Sequence, residues 1–193
     1  RLIQSVFTSD MIEERRMIAY LLIGTIPAAV AGVLLGDYFE QAFSSPSFTS
    51  VMLLVTGGIL LATRLVHFGT RPLSALSGLL IGIGQALAIL PGISRSGTTI
   101  AVGMFSGVEP SKATEFSFLL AVPAIAGALV FKLDEISTLD AAVVGPFLAG
   151  AIGSFLTSLL AVYTVLTVVR KGRFYLFGLY CFVAGGVGLY LFL

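Results

Sequence analysis

The sequence has few charges, since Asp, Glu, Lys and Arg make up 11% of its 193 residues and the net charge is +1. Soluble domains carry roughly 25% charged residues. The shortage argues against a water-soluble fold, and the near-balanced charge offers no basic field that favours nucleic acid. Because hydrophobic residues reach 57%, the composition predicts that the solvent of this chain is a lipid bilayer.

Cysteine, histidine and tryptophan are also scarce: the chain has Cys181, His67 and no tryptophan. A single cysteine excludes a disulfide framework and a cysteine-rich metal site, so we interpret Cys181 as a packed apolar residue. His67 lies in a short charged loop and is interpreted as a solvated loop residue, which leaves candidate serine nucleophiles without a histidine base. Glycine is abundant instead, with 22 residues, as is typical of closely packed or broken membrane helices.

Long uncharged runs predict an all-α, polytopic membrane protein with about five transmembrane helices in a single domain over residues 1–193. A transmembrane helix needs about 20 apolar residues. The candidate spans are Met17–Leu35, Phe48–Thr63, Ala113–Phe131, Ala141–Val169 and Phe174–Leu193. Pro27 and Pro123 fall inside two of these spans, and we interpret them as kinks.

The distribution of charges predicts a re-entrant helix–loop–helix at about residues 73–108. Basic residues mark cytoplasmic ends of membrane segments, and here they are Arg15, Arg16, Arg64, Arg71, Lys112, Arg170, Lys171 and Arg173. Both ends of this region are then inside. Leu73–Ser94 is long enough to cross the bilayer, whereas Ser96–Val108 is too short to return across it. Irregular backbone at membrane depth is tolerated where it is buried in protein or lines a watery cavity, so the tip is the predicted site.

The tip sequence LPGISRSGTT (Leu90–Thr99) has the features of a phosphate-binding loop. Its proline ends the incoming helix, and Gly92 and Gly97 allow the backbone to turn and to approach a ligand closely. Ser94 or Ser96 is expected to cap the next helix. A helix start presents unpaired N–H groups and a partial positive charge, which together favour anions.

Arg95 is the most informative residue of the loop. A charged side chain deep in a bilayer costs about 2.5–3.5 kcal/mol on insertion scales, and such residues are functional by default. Its planar fork of donors suits phosphate, and Thr98 and Thr99 add hydroxyl donors on the first turn. A structural arginine that snorkels or binds helix carbonyls is the alternative. The glycine spacing partly matches a P-loop, but the lysine is missing and the flank is helical, so a nucleotide site is not predicted.

Two polar residues outside the loop are further candidates. Glu115 could pair with Arg95 or Lys112, bind a cation or orient a water, and an interfacial capping acid is an equally good interpretation. Gln85 lies six residues before Pro91 in an otherwise apolar segment. It could face the cavity, or bridge two helices as a polar contact.

The segments GQALAILPGISRSGTTI (Gly84–Ile100) and ATEFSFLLAVPAIAGA (Ala113–Ala128) closely resemble the second signature region of the undecaprenyl-diphosphate phosphatase family, also called the bacitracin-resistance protein family. Residues Ile23–Asp37 and the closing FYLFGLYCFVAGGVGLYLF are similar to the family as well. The resemblance implies hydrolysis of the C55 isoprenoid diphosphate to the monophosphate. That reaction recycles the lipid carrier of peptidoglycan synthesis, at a multi-pass protein of the bacterial inner membrane.

The resemblance also implies a site, partners and an architecture. Arg95, Ser94 and Thr99 become the candidate catalytic residues. The predicted contacts with the diphosphate are Gly92, Ser96, Gly97, Thr98, Gln85 and Glu115. The implied partners are a polyprenyl diphosphate lipid and the bilayer, with no nucleic acid and a possible homo-oligomer. The family is thought to consist of two inverted halves with one re-entrant hairpin each, and the hairpin predicted here corresponds to the second.

The sequence departs from the family pattern at two places. The family's N-terminal signature combines paired glutamates (E-x-x-x-E) with a serine-rich hairpin, whereas Glu13 and Glu14 are adjacent and do not fit. We therefore expect an N-terminally truncated chain that is inactive alone. The ligands of a divalent cation, Mg2+ by expectation, would lie in the missing region and none in this chain. Cys181 follows Tyr180 where the family usually has arginine.

Two other functions are compatible with the sequence. Broken helices and inverted repeats suit a transporter or flippase for an anion or a lipid phosphate equally well. A non-catalytic structural or assembly subunit is the second alternative, and it would be favoured if no upstream sequence supplied the acidic motif.

Overall fold

The computed structural model describes residues 12–66, 69–131 and 141–192. His67 and the acidic stretch 134–140 lie outside the described residues. Within the described ranges the chain is helical, and no β-strand forms. The helices are α1 (Ile12–Leu34), α2 (Gly36–Phe43), α3 (Pro46–Ala62), α4 (Ala75–Leu87), α5 (Arg95–Phe105), α6 (Pro110–Phe131), α7 (Ala141–Arg170) and α8 (Leu176–Phe192), with a 3-10 turn at Thr63–Leu65. The predicted all-α class is confirmed.

Four helices, α1, α3, α6 and α7, are long and apolar enough to cross a membrane. Helix α8 has 17 residues, the lower end of the range of about 17–25 residues for a span, so the expectation of about five transmembrane helices is met. Helix α3 begins at Pro46 because the hydroxyl of Ser45 accepts a hydrogen bond from the Phe48 N–H at 3.2 Å. The short helix α2 was not predicted.

Helices α4 and α5 form a hairpin of two short arms with 13 and 11 residues. At 1.5 Å per residue the arms are about 20 and 17 Å long, short of a hydrocarbon core of about 30 Å. The expectation that Leu73–Ser94 is long enough to cross is therefore wrong, because the helix ends at Leu87. The two ends of the hairpin lie together. Arg71 and Val108 form an isolated β-bridge, and the backbone N–H of Arg71 donates to the Gly107 carbonyl at 3.0 Å.

The first arm packs between α1 and α6 through glycines. Gly78 lies against Tyr20 of α1 and Phe116 of α6, and one turn later Gly82 lies against the backbone of Gly24. A β-carbon on Gly82 would collide with that backbone. Among lipid tails, close packing of small residues replaces the hydrophobic drive between helices. The contacts show that α1, α4 and α6 run in the same direction, so their basic N-terminal ends share one end of the bundle.

The second arm packs against α6 and α3, and α3 is paired antiparallel with α8. Gly57 and Gly178 approach closely across this pair, and the Ser47 hydroxyl donates to the Phe192 carbonyl at 2.7 Å. Cys181 is buried against α3 and α5 in an apolar cluster, as interpreted from the sequence. The cluster contains Leu60, Ile100, Met104, Val169, Phe174 and Cys181. Most of α7 is exposed. The buried residues of this fold therefore lie mainly in the hairpin and in the helices that pack against it.

Candidate phosphate-binding site

The tip of the hairpin turns at Gly92, whose φ is 91°. Residues with a side chain rarely adopt this conformation, and a β-carbon here would also collide with the Thr49 carbonyl of α3. The turn ends at Ser94, which is the N-cap of α5 because its hydroxyl accepts a hydrogen bond from the Gly97 N–H at 3.2 Å. Of the two serines proposed as the cap, the structure selects Ser94.

The first turn of α5 leaves backbone donors free. The N–H groups of Arg95 and Ser96 have no acceptor among the described residues. These groups carry the partial positive charge of the helix N-terminus. Free N–H groups beside an arginine form a site that favours an anion with several oxygens, such as phosphate.

The guanidinium of Arg95 is held by two neutral acceptors from different helices. Its Nε and Nη2 donate to the Oε1 of Gln85 on α4, at 2.9 and 2.7 Å. Nη2 also donates to the Leu120 carbonyl of α6 at 3.1 Å. Pro123 lacks the N–H that would bond to the Leu119 carbonyl, so the hydrogen-bond ladder of α6 is interrupted directly beside the Leu120 carbonyl.

These partners fix the position of Arg95 without neutralising its charge. No carboxylate pairs with Arg95 in residues 12–66, 69–131 and 141–192, and its Nη1 has no acceptor there. A partly buried charge is costly unless it is paired, and an anionic ligand would supply the missing partner. The alternative interpretation, a structural arginine bound to helix carbonyls, accounts for one of the three hydrogen bonds, the bond to Leu120. It does not account for the bonds to Gln85 or for the free Nη1.

A cavity of about 260 Å3 adjoins Arg95. It is lined by Arg95, Ser96, Ser117, Phe118 and Ala121, so it lies between the start of α5 and the middle of α6. One water takes up roughly 30 Å3 in the liquid, which gives this cavity room for a phosphate group. No partner for the Ser96 hydroxyl is found among the described residues, and that hydroxyl can therefore donate to a ligand.

Thr99 and Thr98 are placed differently from Ser96. The Thr99 hydroxyl is buried, bonds to the Arg95 carbonyl at 2.8 Å, and lies 2.6 Å from the Ser117 hydroxyl. The Thr98 hydroxyl and the Nε2 atom of Gln85 are both buried, and neither has a hydrogen-bond partner among the described residues. The roles predicted for the two threonines stay predictions, and the structure places Thr99 between the loop and α6.

The structure brings most of the predicted residues together, with Glu115 as the exception. Arg95, Ser96 and Gln85 meet at the tip, and the loop glycines and Ser94 shape the turn. Glu115 is exposed on α6 and makes no hydrogen bond or ion pair with a described residue. Its predicted contact with a diphosphate stays a prediction.

Sequence reasoning missed two polar residues that contact the loop. Ser117 reaches Thr99 from α6, and Thr56 reaches the loop backbone from α3. Both are isolated hydroxyl residues in apolar helices, and such residues usually bond to their own helix. No sequence signal separates the exceptions, because the relevant contact is 18 or more residues away.

The site residues do not fit a divalent cation. Among the described residues no three or more His, Cys, Asp or Glu side chains come together. The loop presents N–H groups and a guanidinium, whereas Mg2+ requires oxygen ligands, chiefly carboxylates and phosphates.

The fold defines a polytopic helical membrane protein whose short helical hairpin presents backbone N–H groups and the guanidinium of Arg95 at its tip. The chain belongs to the family described as bacitracin resistance protein BacA, which matches residues 1–187. A protein named undecaprenyl-diphosphatase from Korarchaeum cryptofilum is 40% identical over 181 residues, 94% of this chain and 67% of the relative. One of the same name from Desulforapulum autotrophicum is 42% identical over 177 residues, 90% of this chain and 64% of the relative.

A third relative, the undecaprenyl-diphosphatase of Methanothermobacter thermautotrophicus, is 39% identical over 175 residues. Here the match covers 86% of this chain and 94% of the relative. The chain thus spans about two thirds of the first two relatives and nearly the whole of the third.

Proposed function

We propose that this chain binds undecaprenyl diphosphate and forms the phosphate-binding part of a protein that hydrolyses it, which gives undecaprenyl phosphate and inorganic phosphate and returns the lipid carrier to peptidoglycan synthesis. The observation that carries the proposal is Arg95, held by the neutral Gln85 and Leu120 acceptors beside two free N–H groups. This arrangement is complementary to the negative charge of a diphosphate. The similarity to relatives named undecaprenyl-diphosphatase supports the choice of substrate.

The chemistry divides into binding and bond cleavage. In hydrolysis the oxygen of a water forms a bond to the terminal phosphorus, and the bond from that phosphorus to the bridging oxygen breaks. The negative charge on the phosphoryl oxygens is stabilised by Arg95 and the N–H groups of Arg95 and Ser96. Ser94, as the N-cap, and Thr99, against Ser117, hold these donors in place. No general base for the water is assigned among the described residues.

The lipid part of the substrate would lie between helices and open to the bilayer. An apolar groove of about 360 Å3 runs beside the hairpin on its α1 side. Its lining includes Pro27 of α1, Phe39 of α2, Ile83 and Leu87 of α4, and Leu90 at the tip. Since Leu90 is the first residue of the loop, the groove supports a substrate that combines an apolar chain with a phosphate head.

The cellular setting follows from the same proposal. We place the protein in the plasma membrane (the inner membrane of a bacterium with two membranes), where the lipid carrier is used. A divalent cation, Mg2+ by expectation, would be held by groups outside the donor loop, and self-association into a homo-oligomer stays a prediction.

The test is phosphate release from a C55 or shorter prenyl diphosphate in detergent, measured on the protein in its natural length and on residues 1–193 alone. The natural-length protein should release phosphate. Residues 1–193 alone should bind inorganic pyrophosphate and release little phosphate, as the sequence predicts. If the natural-length protein releases none but carries an anion across vesicle membranes, the transporter alternative replaces this proposal.

A further inference from the structure

Helix α3 supports the phosphate-binding loop along one face. Thr49, Met52, Thr56 and Leu60 are spaced by three or four residues and therefore share a side of the helix. A β-carbon on Gly92 would lie 2.9 Å from the Met52 Cβ and would collide with the Thr49 carbonyl. At the other end of the loop, Gly97 lies beside Leu60. The loop thus rests on α3 from its turn to the start of α5.

Thr56 is the polar contact in the middle of this face. Its Oγ1 donates to the Gly92 carbonyl at 3.0 Å and accepts from the Ser94 N–H at 3.1 Å. The residue is 0% exposed, so water cannot replace either bond. One hydroxyl therefore satisfies two backbone groups of the loop, one on each side of Ile93.

The orientation of this hydroxyl is unusual for a threonine in a helix. Such hydroxyls commonly bond to the carbonyl four residues earlier, and Thr25, Thr49 and Thr164 do so here. Thr56 bonds instead to residues 36 and 38 positions away. Helix α3 does not need this orientation of the Thr56 hydroxyl for its own hydrogen bonds. The orientation instead satisfies two backbone groups of the loop.

We propose that Thr56 is a positioning residue that holds the loop in the conformation that binds phosphate. The argument passes through Ser94, because the N–H bonded to Thr56 belongs to the N-cap residue of α5. A shift of Ser94 would displace the adjacent free N–H groups of Arg95 and Ser96. The proposal rests on the proposed function for its substrate, although phosphate binding alone is enough to test it.

The test compares Thr56→Val, which keeps the shape and loses the hydroxyl, with Thr56→Ser, which keeps the hydroxyl. Thr25→Val is the matched control, because it removes a hydroxyl that bonds only within its own helix. The first measurement is the Kd of inorganic pyrophosphate in detergent. The second is kcat/KM for a prenyl diphosphate with the protein in its natural length, together with the thermal midpoint of each variant.

We expect Thr56→Val to weaken pyrophosphate binding and kcat/KM by about tenfold, the scale of leaving a buried backbone group without its hydrogen bond. Thr56→Ser should stay within about threefold of the wild type, and Thr25→Val should change neither quantity. A folded Thr56→Val with the wild-type Kd overturns the proposal. Thr56→Ala provides a second variant without steric strain. If both variants fail to fold while Thr56→Ser behaves as wild type, the role is purely structural and the proposal is also wrong.

The two proposals fail separately. In one case pyrophosphate binding depends on Thr56, but neither the wild type nor any variant releases phosphate from prenyl diphosphate. The phosphatase proposal then fails, and the proposal on Thr56 stands. If the wild type is active and depends on Arg95 while Thr56→Val is unchanged, the inference on Thr56 fails alone.

Discussion

The hairpin and helix α7 have similar compositions and opposite environments. Ile81 of the hairpin and Ile100 at its other arm are 0% exposed, whereas Leu156 and Leu160 of α7 are 60% and 66% exposed. Both elements are rich in glycine, yet a β-carbon on Gly150 or Gly153 of α7 would meet nothing within 4 Å, whereas β-carbons on Gly78 and Gly82 of the hairpin would meet α1. Hydrophobicity does not determine burial here, because lipid tails are as apolar as leucine.

The difference indicates that the hairpin, and not α7, is the part of the chain that can form a binding site. The hairpin arms are too short to cross, and their tip has polar groups that only neighbouring helices can satisfy. Helix α7 has 30 residues, satisfies its backbone internally, and can face apolar surroundings along its length.

Replacement of Arg95 by alanine should have the largest effect. The site then loses its uncompensated charge, and kcat/KM for prenyl diphosphate should fall by about a hundredfold or more. The measurement is phosphate release by the natural-length protein. Arg170→Ala, at the exposed end of α7, is the control and should keep the wild-type rate. Full turnover by the Arg95 variant would show that the hairpin tip is not the site.

Gln85→Leu should reduce kcat/KM by about tenfold, because Arg95 loses the acceptor of two hydrogen bonds. Since Gln85 acts through Arg95, the same change should add little in an Arg95→Ala background. A double-mutant cycle of phosphate release rates measures this coupling. Independent, additive losses would mean that Gln85 contacts the diphosphate itself, as predicted from the sequence.

Gly82→Ala should destabilise the fold by about 1–3 kcal/mol, because the new methyl group collides with the backbone of Gly24. Gly150→Ala is the matched change in α7, where the β-carbon meets open space. There the change should stabilise by about 0.5–1 kcal/mol through helix propensity. Unfolding in detergent measures both, and equal effects at the two positions would remove the contrast between hairpin and α7.

Leu156→Ala in α7 should have the smallest effect, within about 0.5 kcal/mol of the wild type, because exposed positions lose no packing. Leu120→Ala is the comparison, since Leu120 is 0% exposed beside the hairpin and its removal leaves a cavity. The same unfolding measurement separates them. A large loss at Leu156 would mean that α7 packs against another protein surface in the folded state.

Much of the fold was predictable from the sequence. The uncharged runs predicted the spans, because backbone groups in lipid must bond within a helix and apolar length sets the crossing. The hairpin was predictable from charge topology and from the short second arm. Its first arm was overestimated, because Pro91 marks a limit but the helix ends earlier, at Leu87, where turns begin.

The site was predictable in type and only partly in detail. The loop sequence indicated phosphate binding, because glycines, a cap serine and arginine have that chemistry wherever the backbone permits. The roles within the loop were less accessible. Gln85 was expected either at the cavity or as a polar contact between helices; it is found bonded to Arg95, and its contact with a diphosphate stays a prediction. Thr56 and Ser117 were not identified, because their partners lie in distant segments.

Composition and local spacing were enough to predict a bilayer environment, about five spans and a donor-rich loop at Leu90–Thr99, whose phosphate binding stays a prediction. The tertiary structure alone decided which neutral groups hold Arg95, which helix supports the loop at Thr56, and which glycines are contacts. The physical reason is that in lipid every apolar face is tolerated equally. One helix face differs from another only in the polar groups and the backbone of neighbouring helices that it contacts, and packing decides these contacts.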